Sequence, residues 1–128
     1  MLKLKYILLL TIAFSSPAIA SLDLSATINC TYQKGQMLNK KESKSANNSK
    51  PLKWSFNGLK SKKAIFVSGG DSGSVITVSI ENGVVIYLPY PVGTSTFTIW
   101  STGESFWNKQ ANIMGTVYSQ QFIGSCVN

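Results

Sequence analysis

Apolar and polar residues alternate along most of this chain. From Leu22 to Tyr32 every second residue is apolar or aromatic, and the residues between them are polar or small. This period of two is typical of a β-strand with one buried and one solvated face. Similar short runs follow, separated by turns that contain Gly, Asn or Pro, at 52–57, 63–68, 75–80, 84–90, 94–101, 104–110 and 113–122. The pattern predicts about eight strands.

Two glycine-containing dipeptides predict tight hairpins. Asn82-Gly83 separates two of the runs and tolerates the positive φ angles of a two-residue type I′ turn, and Thr102-Gly103 separates two others. Short strands joined in order predict an all-β domain, either a small antiparallel β-barrel or a sandwich. The predicted core consists of Trp54, Phe56, Ile65, Val67, Ile76, Val78, Ile80, Ile86, Leu88, Phe97 and Ile99.

The first twenty residues have a different character. Two Lys precede an apolar stretch from Tyr6 to Phe14, and Ala18-Ile19-Ala20 supplies the small residues of a cleavage site. These are the three parts of a secretory signal peptide, and the apolar stretch is far shorter than the roughly 20 residues that span a bilayer. We therefore expect residues 1–20 to be removed, no membrane span, and export of residues 21–128 as a single domain, to the periplasm or beyond the cell.

Export gives the two cysteines a structural meaning. Disulfides form in oxidising compartments, and Cys30 and Cys126 are the two cysteines of the chain, so we expect one bridge that staples the ends of the mature domain. They lack the C-x-x-C spacing of a redox pair, and no His is present to complete a metal site with them. We predict neither a metal nor a cofactor.

Positive charge is concentrated in one segment. Residues 34–63 hold nine Lys and one Glu, a charge of +8, whereas the rest of residues 21–128 holds one Lys and four acids, a charge of −3. The stretch at about 33–51 is rich in Lys, Ser and Asn and interrupts the strand pattern, which predicts a Lys-rich loop.

This loop is a candidate contact for an anionic partner. Lys40, Lys41 and Lys44 would attract an anionic glycan or lipid surface. Specific nucleic-acid binding is not expected, because the stretch has no aromatic residue to stack a base and no Arg to hold a phosphate. A solvated loop without a ligand is the alternative interpretation.

Composition removes most catalytic constellations. Gly70-Asp71-Ser72-Gly73 matches the tetrapeptide around a serine-protease nucleophile, but the chain has no His to accept the serine proton. Between two strands such a run predicts a turn. No pattern brings two carboxylates together, so a hydrolase that uses carboxylates or a Ser-Lys pair is the least supported hypothesis. We expect a protein that is not an enzyme.

Aromatic residues provide another candidate contact. Trp100 and Trp107 are assigned to the outer faces of their strands, where they would share a surface with Tyr87. Aromatic residues on an open face mark contacts with proteins or glycans. The alternative is that both tryptophans are covered, by the Lys-rich loop or by a second sheet of a sandwich, or lie in the core.

One run of residues resembles a known family. The stretch Glu-Ser-Phe-Trp-Asn-Lys-Gln at 104–110 resembles the Phe-Trp-x-Lys-Gly stretch of the bacterial periplasmic inhibitors of c-type lysozyme. The early and late cysteines and the size of the chain are also similar to that family. The closing stretch at 119–126 resembles a second group, the small exported bacterial β-barrel proteins of unassigned activity.

The first resemblance implies a partner and a site. In that family a Lys and a Ser enter the lysozyme cleft, where an ammonium would neutralise the catalytic carboxylates. The Lys corresponds to Lys109, and Ser101 and Ser105 are the candidates for the Ser, while Gln110 stands where the family has Gly. The sequence thus predicts an exported binding protein that acts through its Lys-rich loop or aromatic surface, with lysozyme inhibition through Lys109 as the second hypothesis.

Overall fold

The computed structural model describes residues 21–38 and 43–128, and for residues 43–49 it describes the backbone alone. This part of the chain forms one sheet of nine antiparallel strands in a nearly closed barrel, so the all-β prediction is confirmed. The strands are β1 (Ile28–Leu38), β2 (Ser43–Asn57), β3 (Ile65–Ser68), β4 (Asp71–Ser74), β5 (Ile76–Ile80), β6 (Gly83–Tyr90), β7 (Gly93–Trp100), β8 (Glu104–Ile113) and β9 (Thr116–Val127). Among the described residues there is no helix long and apolar enough to cross a membrane. The predicted signal peptide at 1–20 lies outside them.

The barrel is closed by a strand that changes partner. The sheet order is β4-β3-β2-β1-β9-β8-β7-β6-β5, so its two edge strands are β4 and β5. These follow each other directly, separated by Val75, whose amide donates a hydrogen bond to the Ala64 carbonyl (3.0 Å). Before Val75 the chain pairs with β3, and after it with β6. The last residues of β6, Leu88–Tyr90, therefore pair with β7 alone, and the barrel is left open beside them.

Antiparallel order gives the barrel two different ends. At the closed end, the N-terminal segment lies over the β7–β8 turn, where the Leu22 amide bonds the Ser101 carbonyl (2.8 Å). The Cys30–Cys126 disulfide joins β1 to β9 here, at directly opposite positions, as predicted. The turns that follow β3, β6 and β8 lie at the open end.

The core confirms part of the predicted list. Phe56, Ile86, Phe97 and Ile99 are fully buried, and Trp54 and Leu88 pack against them. Four predicted core residues are instead exposed: Ile65, Val67, Ile76 and Val78.

The strand register determines whether these side chains point into or out of the barrel. On β3 it is Phe66 that points inward, because it lies directly opposite the buried Phe56. On β5, Ile76 lies opposite the outward Tyr87, so the whole face of this edge strand that carries Ile76 is turned outward. On β3 the consecutive apolar residues do not reveal which parity faces inward, whereas β5 alternates and turns its apolar face outward.

The first strand begins later than predicted, at Ile28 rather than Leu22. The Asp23 carboxylate accepts hydrogen bonds from the Ser25 amide (2.9 Å) and hydroxyl (2.6 Å), which folds this segment into a turn. The same hydroxyl bond lowers the pKa of Asp23. Leu22 and Leu24 pack on the core as a cover of the closed end rather than as strand residues.

The predicted Lys-rich loop at 33–51 is also corrected, since its described residues are strand. The β1–β2 hairpin extends to Leu38 and Ser43, and β1 pairs with β9 along the same length. A bulge near Gln33 changes the register, so that Tyr32 faces Leu52 while Lys34 faces Asn47. Ladder hydrogen bonds on both sides of β1 hold this segment extended, although its side chains show no apolar alternation.

Two predicted turns are displaced by one or two residues. The β3–β4 turn is Gly69-Gly70, both at positive φ (56° and 85°), and the protease-like run continues from it into β4. Ile80 pairs with Gly83, so the β5–β6 turn is Glu81-Asn82, with Asn82 at φ 59°. Gly83 belongs to β6, where a Cβ would lie 2.6 Å from the Ile99 carbonyl oxygen.

Candidate functional site

The predicted outer surface of Trp100, Trp107 and Tyr87 is not formed. Trp107 points into the barrel and is only 6% exposed, whereas its neighbour Phe106 points outward. The Trp107 ring stacks on Phe97 (centroids 5.4 Å apart) and on Phe122 (4.7 Å). Trp100 and Tyr87 lie on the outer face of β7 and β6, as predicted. The inward face of β8 is therefore the one predicted to face outward, and it carries every second residue from Ser105 to Ala111.

That reversal places Lys109 in a cleft at the open end of the barrel. The cleft has a volume of about 510 Å³ and lies where β6 lacks a second partner, between β6 and the β3–β4 hairpin. Its inner wall is aromatic: the Trp54 ring lies 5.3 Å from both Phe66 and Trp107. Concave, largely apolar sites with a few polar groups are the usual form of binding pockets.

Lys109 is held at the rim of this cleft. Its side chain is half-buried, and its ammonium lies 5.9 Å from the centroid of the Tyr90 ring, within the range of a cation–π contact. Asp71, at the start of β4, lines the cleft as well. The site therefore contains one cationic and one anionic side chain among aromatic walls.

Ser95 is the second hydrogen-bond donor beside Lys109. The two residues are direct partners in the β7–β8 ladder and share its inward face, which puts their Cβ atoms about 4.5–5.5 Å apart. Ser95 is 2% exposed and lines the cleft, where its Oγ accepts a hydrogen bond from Trp107 Nε1 (3.1 Å). That bond fixes the hydroxyl, whose proton has no acceptor among the described residues.

The two serines singled out from the sequence lie elsewhere. Ser105 is fully buried; its Oγ lies 2.7 Å from the Tyr32 hydroxyl and donates to the Thr98 carbonyl (2.9 Å). Ser101 lies in the β7–β8 turn at the closed end. The sequence did not single out Ser95: a two-residue turn at Thr102-Gly103 would pair Lys109 with Thr96, whereas the observed register pairs Lys109 with Ser95.

The basic residues are only partly described. Lys40 and Lys41 lie outside the described residues, and Lys44 lies in β2 opposite Met37, with its side chain undescribed. Lys34 and Lys53 are exposed on the outer faces of β1 and β2.

The described acidic residues are divided between the two ends of the barrel. Within residues 21–38 and 43–128, no cluster of three or more His, Cys, Asp or Glu is arranged to hold a metal ion. Asp71 lies at the open end, whereas Asp23, Glu81 and Glu104 lie in or beside closed-end elements.

Comparison with known proteins gave no match to a family model, to a curated protein or to a solved structure.

Proposed function

We propose that this chain is a non-enzymatic binding protein that takes up an anionic group of its partner in the cleft at the open end of the barrel. The observation that carries the proposal is the pairing of Ser95 and Lys109 on the inward face of β7–β8. One residue supplies a buried hydroxyl and the other a half-buried ammonium, and both border the same cleft.

A carboxylate suits these donors. One of its oxygens can accept the Ser95 hydroxyl proton while the other meets the Lys109 ammonium, and hydrogen bonds with a charged partner are roughly twice as strong as neutral ones. The aromatic side chains of Trp54, Phe66 and Trp107 make the inner side of the cleft less polar than bulk water. Lower local polarity strengthens the attraction between ammonium and carboxylate. Asp71 would repel an anion from its own side of the cleft, so the bound carboxylate is expected on the side of Lys109.

A c-type lysozyme is the partner that the resemblance suggests. The cleft residue Lys109 belongs to the Phe-Trp-x-Lys run, and the structure supplies an inward Ser beside it. Such an enzyme depends on two carboxylates in different protonation states. A Lys ammonium between them stabilises the charged form of both, which removes the general acid. This chain would then inhibit by occupying the site and would perform no reaction.

A lysozyme clearing assay with a suspension of bacterial cell walls tests the proposal. We expect the oxidised wild-type protein to slow clearing at micromolar concentration and Lys109→Gln to lose at least tenfold in potency. Lys34→Gln is the matched control, because Lys34 is exposed on the outer face of β1. Unchanged clearing in the presence of wild-type protein would reject lysozyme as the partner, and equal potency of wild type and Lys109→Gln would reject the cleft as the site.

A further inference from the structure

The turn between β8 and β9 carries a residue that its backbone disfavours. Ile113 pairs with Thr116, so Met114 and Gly115 form a two-residue turn, with φ angles of 53° and 84°. Turns with positive φ at both central positions favour Asn-Gly or Asp-Gly. A methionine in the left-handed region is uncommon, because its Cβ crowds the backbone there.

This turn also exposes apolar side chains. Met114 is 100% exposed, and its neighbours Ile113 and Val117 are 52% and 53% exposed. The hairpin does not need apolar residues at these exposed positions, and a polar residue would suit the turn better. A local preference that is broken without gain to the fold points to a function for the side chain.

The turn is continuous with the cleft through Lys109. A second groove, of about 280 Å³, is lined by Lys109, Ala111 and Ile113, together with Met37, Tyr118 and Gln120 of the neighbouring strands. Lys109 therefore borders both the aromatic cleft and the groove that leads to the β8–β9 turn. A protein that placed a carboxylate against Lys109 would meet Met114 on the same end of the barrel.

We propose that Ile113 and Met114 form a second contact with the protein whose carboxylate enters the cleft; this inference rests on the proposed function. Methionine suits such a contact, since its flexible, polarisable side chain adapts to irregular apolar surfaces. The partner is a folded protein with an apolar surface beside a recessed carboxylate. A flat lipid surface fits less well, because it cannot bring an anion to the buried hydroxyl of Ser95.

Replacing Met114 with Asn separates binding from folding. Asn adopts the left-handed conformation readily and precedes Gly in the preferred sequence for this turn, so we expect Met114→Asn to be at least as resistant to urea as wild type. At the same time its affinity for a c-type lysozyme, measured by surface plasmon resonance, should fall at least tenfold. Val127→Thr is the control, since Val127 is 63% exposed at the closed end.

The possible results are distinguishable. If wild type binds, Lys109→Gln loses binding and Met114→Asn binds as wild type does, the second contact is refuted while the proposed function stands. If wild type does not bind lysozyme, both fail. Wild-type binding to phosphatidylcholine vesicles that is lost in Met114→Asn would overturn the protein contact in favour of a lipid surface.

Discussion

The Tyr32 hydroxyl and the Ser105 Oγ lie 2.7 Å apart in the interior of the barrel, joining β1 to β8. Ser105 donates its own proton to the Thr98 carbonyl on β7 (2.9 Å), so Tyr32 is the donor to Ser105. The two bonds form a chain across buried parts of three elements, in which each polar atom has a partner. This arrangement also occupies Ser105 fully and leaves Ser95 as the serine of the cleft.

Removing the Tyr32 hydroxyl and removing the Ser105 hydroxyl should have unequal effects on stability. Tyr32→Phe deletes one hydrogen bond and leaves Ser105 bonded to Thr98, at a cost of about 1 kcal/mol. Ser105→Ala leaves a buried hydroxyl and a carbonyl without that partner, at a cost of about 1–3 kcal/mol. Urea unfolding of both variants measures the difference. A larger loss for Tyr32→Phe than for Ser105→Ala would contradict the proposed direction of the bonds.

Alkaline pH should destabilise the barrel through Tyr32. Burial raises the pKa of its phenol above the ordinary value of 10.0, and the Ser105 hydrogen bond offsets part of that rise. Above about pH 10 the unfolded chain releases the proton while the folded chain retains it, so stability falls as pH rises. Thermal melts between about pH 9 and 11 should show a steeper decline for wild type than for Tyr32→Phe. Parallel declines would show that another group controls the alkaline transition.

The disulfide should contribute a large part of the stability. Cys30 and Cys126 are 96 positions apart, a span for which chain entropy gives about 4–5 kcal/mol. At roughly 4–8 °C per kcal/mol for a domain of this size, reduction should lower Tm by well over 10 °C. A melt with and without reductant measures it, with Cys30→Ser/Cys126→Ser to separate the bridge from effects of the reductant. An unchanged Tm would mean that the bridge adds nothing to stability.

The Lys-rich segment at about 33–51 should bind anionic polymers without taking part in the cleft. Neutralising Lys40, Lys41 and Lys44 to Gln should lower the salt concentration at which the protein leaves a heparin column, because clustered cations make retention salt-dependent. The matched control is the same change at Lys60, Lys62 and Lys63, which carry equal charge in the exposed β2–β3 turn. Identical elution of wild type and the first variant would exclude the Lys-rich segment as a contact for anionic polymers.

The sequence predicted the fold class and most strands because alternation is a local signal, and it predicted the disulfide because two cysteines allow only one intramolecular pairing. It failed where both faces of a strand resemble each other. Phe106 and Trp107 are both large and aromatic, and the inward position of Trp107 depends on its stacking on Phe97 and Phe122 from other strands. The strand prediction also missed the Lys-rich residues at 33–38 and 43–51. Their sequence shows no apolar alternation, because hydrogen bonds to the neighbouring strands hold the backbone extended without a buried face.

The site was predictable only in part. Lys109 was found through its sequence context, whereas Ser95 is an ordinary residue in a Thr- and Ser-containing strand. Its proposed role rests on the register that places it opposite Lys109 and on the hydrogen bond that Trp107 Nε1 donates to its Oγ. The opening of the cleft depends on the partner change at Val75, which no local pattern in the sequence marks.

The central claim is that Ser95 and Lys109 hold one anionic group together, and a double-mutant cycle tests it most directly. The Kd for a c-type lysozyme would be measured for wild type, Ser95→Ala, Lys109→Gln and the double variant. If both residues hold the same group, the loss in the double variant will be smaller than the sum of the single losses, with a coupling of about 0.5–3 kcal/mol. Strictly additive losses, or no wild-type binding at all, would contradict the account.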